Sequence, residues 1–155
     1  MYQHCDKDDT VISLHDCRAE KVSFENGDLT FYFPDGFWVL PSNEENHTED
    51  CIKTDASEAS FHLMLDEDDV SIYVYTQKKH GKAIRRKWEV SKLIKEINSG
   101  KYQLEFLYQY TAYLQRVVAC WLWFDKKPYN KECELWIELT GVTYKWNRLR
   151  PDRVM

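Results

Sequence analysis

Glycine and proline are scarce in this chain, five and four among 155 residues. Cradling a phosphate on backbone amides needs clustered glycines, and neither a Gly-rich phosphate loop nor a GxSxG elbow is present. The five cysteines (5, 17, 51, 120 and 133) are odd in number, scattered and without a CxxC pair. They read as free thiols in a reducing cytoplasm rather than a disulfide framework. No run approaches the length of a membrane span. The opening MYQHCDKDDT has neither the basic n-region nor the apolar h-region of a signal peptide, so a cytoplasmic location is expected. Asn46-His47-Thr48 matches the glycosylation sequon, which a cytoplasmic chain would never present to that machinery.

What the chain has in excess is aromatic surface. Six Trp, ten Tyr and seven Phe make up 15% of the residues, and flat rings pack well across pleated strands. Hydrophobic content of 43% and charged content of 30% are ordinary for a globular protein. A chain of this length buries about 70% of its unfolded surface as one domain, so residues 1–155 are read as a single unit. Residues 1–10 are expected to fray. Residues 42–58, charged and without periodicity, read as a long acidic loop.

The stretch from Tyr102 to Phe124 organises the rest. Tyr102, Leu104, Phe106, Tyr108 and Tyr110 alternate with polar residues, the period of a half-buried strand. Val117 to Phe124 is apolar on both faces, as in a strand covered on both sides. Together they predict a core hairpin. Elsewhere, Asn26-Gly27 between alternating hydrophobics predicts a tight hairpin, and Pro34-Asp35-Gly36 a second turn. Phe61–Leu65 and Val70–Val74, joined by Asp66-Glu67-Asp68-Asp69, read as another hairpin with an acidic tip. Val90, Leu93, Ile94 and Ile97 recur at helical spacing, predicting one short amphipathic helix over 89–98. Cys133–Leu139 alternates against glutamates, Gly141 permits a bend, and the basic tail from Asn147 reads as extended. The sum is a mainly β chain (α+β is the alternative) with nine or ten strands in an antiparallel meander, barrel-like or sandwich sheet.

Constellations for catalysis or metal binding are weak. His15 and Asp16 are adjacent, so on a strand they would point to opposite faces unless the chain turns there. Asp16 is then expected to bond backbone N–H groups at a turn. His4, Cys5, His15 and Cys17 lack the spacing of zinc ligands. Asp66–Asp69 lacks the length and central glycine of a calcium loop. No catalytic residue, metal or cofactor is assigned, and the chain is read as a non-enzyme. Lys78, Lys79, Lys82, Arg85, Arg86 and Lys87 could track phosphates, but the acidic pI near 5.5 and the absence of a recognised motif make nucleic acid an unfavoured partner.

Charge is unevenly distributed. Residues 1–76 hold 4 Lys/Arg against 18 Asp/Glu, and residues 77–155 hold 17 against 8. The bland explanation is that the two halves lie side by side and their charges interleave. Leu14-His15-Asp16, Val22, Leu29-Thr30-Phe31-Tyr32-Phe33 and Asp35-Gly36-Phe37-Trp38 resemble the opening of several small bacterial β-rich families. Among these are immunity proteins of polymorphic toxin systems. The resemblance spans residues 11–40 and implies a cytoplasmic binding protein that neutralises a partner, such as a basic toxin domain, without catalysis. On the charge pattern, Glu44, Glu45, Glu49, Asp50, Asp66, Glu67, Asp68 and Asp69 would be its contact residues. The alternative is a small-molecule-binding barrel whose cavity is lined by Tyr102, Phe106, Tyr108, Trp121 and Trp123. An enzyme of unknown type ranks third. An exposed edge strand would also make a homodimer easy to form.

Overall fold

Asn26 and Gly27 both adopt positive φ, 52° and 79°, as a two-residue hairpin turn demands. In the computed structural model, which describes residues 1–155, they join β4 (Lys21–Glu25) to β5 (Asp28–Phe33). Three more strands precede this hairpin: β1 (His4–Asp6), β2 (Ile12–Ser13) and β3 (Cys17–Ala19). After it come β6 (Trp38–Val39), β7 (Ile52–Thr54), β8 (Ser57–Leu63), β9 (Val70–Gln77) and β10 (Ala83–Trp88). The helix α1 (Val90–Asn98) follows, then β11 (Gln103–Ala112), β12 (Gln115–Trp123), β13 (Asn130–Trp146) and β14 (Leu149–Val154). The protein is therefore mainly β with one helix. The count of fourteen strands exceeds nine or ten because five are only two or three residues long, too short to show a period.

All pairings are antiparallel. Ten strands form one sheet that turns through β13. The first half of β13 pairs with β12 on one side and β9 on the other; its second half pairs with β8 and β1. A register shift between Leu139 and Gly141 separates the halves, the kind of bulge that bends a strand and re-aims it. The other four strands form a separate sheet in the order β14-β7-β6-β2. The ten-stranded sheet does not close into a barrel.

The two halves of the large sheet face each other across an aromatic core. Phe106 on β11 meets Phe31 at 5.1 Å and Phe33 at 5.4 Å between ring centres, both edge-on. Phe37 lies edge-on to Tyr144 and Trp146. Each such buried ring contributes roughly 1.5–3 kcal/mol. Helix α1 buries Val90, Leu93 and Ile97 and does one further job. The Asn98 side chain accepts from the Val22 N–H at 2.8 Å and donates to the Val22 carbonyl at 2.9 Å. It thereby stands in for a missing strand along the outer edge of β4.

Several expectations are corrected. β8 and β9 do not form a hairpin. Both run antiparallel to β13 in sequence, Leu63 opposite Leu139 and Val70 opposite Ile137. The acidic tip is thus an excursion between two strands that share one partner. Within residues 1–10, expected to fray, His4–Asp6 pair with β13 as β1, and Asp9 bonds Arg116 and Tyr144. The irregular part of 42–58 ends at Cys51, because β7 and the start of β8 lie within it. In β12, Val118, Cys120 and Leu122 are buried, while Val117, Ala119, Trp121 and Trp123 are only partly covered. That strand has one dry face, not two. The basic tail is extended, as β14. No helix is long and apolar enough to cross a membrane.

Candidate functional site: an acidic loop beside the first strand

The segment from Pro41 to Cys51 connects β6 to β7, and two asparagines fold it. Asn46 is 5% exposed; its amide donates to the Val39 carbonyl at 3.0 Å and the Asp50 carbonyl at 2.9 Å. Its oxygen accepts from the Thr48 N–H and hydroxyl. Asn43, 4% exposed, donates to Asp6 Oδ2 at 2.7 Å and accepts from the Glu45 N–H at 2.9 Å. Amides turned inward in this way satisfy a loop that has no ladder of its own. They also leave Glu44, Glu45, Glu49 and Asp50 turned outward and exposed. The sequon asparagine is thus a buried strut.

Pairing of β1 with β13 sets Asp6 and Asp8 beside this loop. An open cleft of about 410 Å³ lies between them, lined by His4, Asp6, Lys7, Asp8, Glu44 and Glu45 among others. Hydrogen bonds from the Thr10 hydroxyl and N–H hold the Asp8 carboxyl below its usual range. His4 stacks on Trp146 with ring centres 5.7 Å apart, and its Nδ1 lies 3.4 Å from Glu45 Oε1.

The second acidic segment differs in character. Asp69 Oδ2 accepts from the N–H groups of Leu65 and Asp66 at 2.5 and 3.1 Å, and Asp66 Oδ1 accepts from the Asp68 N–H at 2.9 Å. These two carboxylates cap their own turn; Glu67 and Asp68 alone project freely. Nor do the two segments merge. One is anchored by His4 opposite Trp146, the other by Leu63 opposite Leu139, about 20 Å apart along β13 at the usual strand rise.

Interleaving of the acidic and basic halves is real but local. Arg116 pairs with Asp9, Arg153 with Asp35 and Arg148 with Asp55. No Lys or Arg lies within ion-pair distance of the eight carboxylates singled out above; His4 beside Glu45 is the one basic group that does. The basic residues of β10 are likewise without carboxylate partners, Arg85 lying over the Tyr73 ring at 4.7 Å.

The proposed aromatic ligand set does not converge. Between Phe106 and Tyr108 the pairing with β12 shifts by one residue, and such a bulge flips every later side chain to the other face. Tyr102 and Phe106 are therefore buried, 8% and 0% exposed, while Tyr108 is 58% exposed. Trp121 and Trp123 lie on the outward face of β12. Arg18 sits 4.6 Å over the Trp123 ring, whose N–H donates to Glu105. These five residues line no common cavity.

At His15 the chain does turn: Asp16 has φ 55°. Its carboxylate lies 3.5 Å from His15 Nε2, while its N–H donates to the Phe106 carbonyl at 2.8 Å. His15 Nδ1 lies 2.5 Å from the Leu107 carbonyl oxygen, a bond that requires the imidazole to donate there. The Asp16 side chain thus meets its neighbour rather than backbone N–H groups, and the nearby Ser13 hydroxyl and Cys17 thiol bond the His15 backbone, not its ring. His4, Cys5, His15 and Cys17 do not gather into a metal-holding group. Burial pushes the Cys17 thiol up to about 12.

Sequence reasoning passed over two features. Asp6 and Asp8 join the loop only through a strand pairing that spans almost the whole chain. Arg116, 3% exposed, forms a buried ion pair with Asp9, which also accepts from the Tyr144 hydroxyl at 2.6 Å. A lone Arg amid Gln and Val on a strand gave no sign of this partner. No protein-family model, no curated protein and no solved structure matches the chain.

Proposed function

We propose that this chain is a non-enzymatic protein-binding module of the immunity type, working in the cytoplasm and presenting acidic residues 44–50 to a basic partner. The observation that carries the reading is a loop held in shape from inside by Asn43 and Asn46 whose outward carboxylates form no ion pair with Lys or Arg. Such a surface loses little conformational freedom when a cationic partner arrives. Its field speeds association and discriminates against acidic competitors. Glu67 and Asp68 form a secondary contact beside the middle of β13, near Ile137 and Leu139.

The test compares the wild type with a variant carrying Gln or Asn at 44, 45, 49 and 50, in pull-downs from the source organism's lysate at low and high salt. A basic protein retained by the wild type at low salt and lost by the variant supports the reading. Equal recovery by both proteins, or no recovery by either, refutes it.

A further inference from the structure

Sheet edges invite pairing with other chains, and most of the edges here are guarded. β10 carries Arg85, Arg86 and Lys87; β4 is capped by Asn98; β14 contains Pro151 among charged residues; β1, β2 and β3 are three residues long or less. Charge, proline, cover and shortness are the ordinary defences of an edge. β11 has none of them beyond its bulge. Its partner β3 stops at Phe106, and from Tyr108 to Ala112 it pairs with β12 alone. Residues 106–115, FLYQYTAYLQ, include no charged residue, no proline and no glycine. The His15 ring takes up the Leu107 carbonyl at the last position before the free stretch. Beyond it, alternate N–H and C=O groups of β11 point away from β12 without a strand to receive them.

This edge also borders an open groove of about 590 Å³. Leu107 to Thr111 line it together with Ile12, Ser13, His15 and Leu40. The groove's two strongest charges, Asp9 and Arg116, are spent on each other. A charged side chain entering there would find no unpaired side-chain counter-ion among the lining residues.

We infer that the free edge of β11, residues 108–112, is a strand-addition site for an extended, uncharged segment of a partner protein with alternating apolar side chains. Backbone hydrogen bonds to the edge supply affinity, and the apolar wall of Ile12 and Leu40 selects alternate side chains. The occupant is a single slender segment rather than a second copy of this chain. The inference extends the protein-binding reading without resting on the acidic loop, so its failure would leave the charge argument where it stands.

The test uses fluorescein-labelled six-residue peptides of alternating Val and Thr. Matched versions carry N-methyl groups on either set of alternate residues, or have Thr replaced by Lys or Glu. Binding is followed by anisotropy and by amide hydrogen exchange of the intact chain. The unmodified peptide should slow exchange at alternate amides within 108–112 by about tenfold or more. One N-methylated phase and both charged peptides should fail to bind. Thr111→Lys, at an exposed position, should weaken binding by about tenfold or more while leaving the thermal midpoint unchanged. Four results would each overturn the inference: no binding by any peptide at about 1 mM, equal binding by both N-methylated phases, protection in the free monomer of those 108–112 amides that point away from β12, or a dimer abolished by Thr111→Lys.

Discussion

Replacing Asp9 by Asn tests how firmly the amino-terminal segment is tied to the core. The Asp9 carboxylate receives the buried Arg116 guanidinium and the Tyr144 hydroxyl. Burial alone would make Arg116 less basic, but the bonds to Asp9 outweigh this and hold it above the ordinary arginine value. Taking one partner from a fully buried ion pair costs about 3–5 kcal/mol, because the other charge is left without compensation. Here the Asp9 side chain keeps 34% of its exposure, so water can reach the site and the cost falls to about 2–3 kcal/mol. For a domain of this size that lowers Tm by roughly 5–10 °C. Asp9→Asn with Arg116→Met should lose less than the two single changes together, with a coupling on the order of 1–2 kcal/mol. Urea unfolding followed by tryptophan fluorescence gives the free energies, and hydrogen exchange at residues 3–10 reports whether β1 is released. A loss below about 0.5 kcal/mol for Asp9→Asn, with exchange unchanged, would refute the claim that this pair anchors the amino terminus.

Asn46→Ala removes the side-chain donor from the Val39 carbonyl, leaves the Asp50 carbonyl with the Thr48 hydroxyl alone and should cost about 1–3 kcal/mol, with limited proteolysis cutting first within 41–51. Gly36 has φ 76°, and a Cβ there would overlap the Thr54 carbonyl oxygen. Gly36→Ala should therefore lose on the order of 3 kcal/mol or more in denaturant titrations, against about 1 kcal/mol for Gly27→Ala, where nothing lies within 4 Å. Burial raises the thiols of Cys17, Cys120 and Cys133. At mildly alkaline pH a thiol reagent should label exposed Cys5 first and these three only on unfolding. Partial burial pushes the Asp35 carboxyl up, but Lys53 and Arg153 outweigh it and hold it below the usual range. A carboxyl depressed in the folded state stabilises above its unfolded pKa and ceases to as pH falls through its folded one. Asp35→Asn should accordingly flatten the loss of stability below about pH 4, read as the urea midpoint against pH.

How much of this could be read in advance depended on whether the deciding partner was near in sequence. The Asn26-Gly27 hairpin and the helix at 90–98 declare themselves because turn chemistry and a four-residue periodicity are local. The pairing of 61–65 with 70–74 misleads for the same reason: adjacent alternating runs look like a hairpin, whereas both prefer β13, some seventy residues on. The bulge after Phe106 is invisible in a run of Tyr, Leu and Phe, since every residue there suits either face of a strand. It alone decides that Tyr108 faces water and Phe106 does not. At the acidic loop, the exposed glutamates were legible as charge, but Asn43 and Asn46 looked like ordinary loop residues. Their role requires the Asp6 and Val39 positions that only the assembled sheets provide.

One consequence follows from β13 being shared. Strands 1, 8, 9 and 12 all wait for residues 130–146, which are synthesised after every one of them. Until then, the nascent chain carries β8 and β9 with one flank open and most of its large aromatic rings without a complete interior. Loop-closure costs of that length make assembly slow compared with a chain built from neighbouring contacts. The gain is that neither half of the large sheet can peel away alone: cutting β13 anywhere should dissolve both at once.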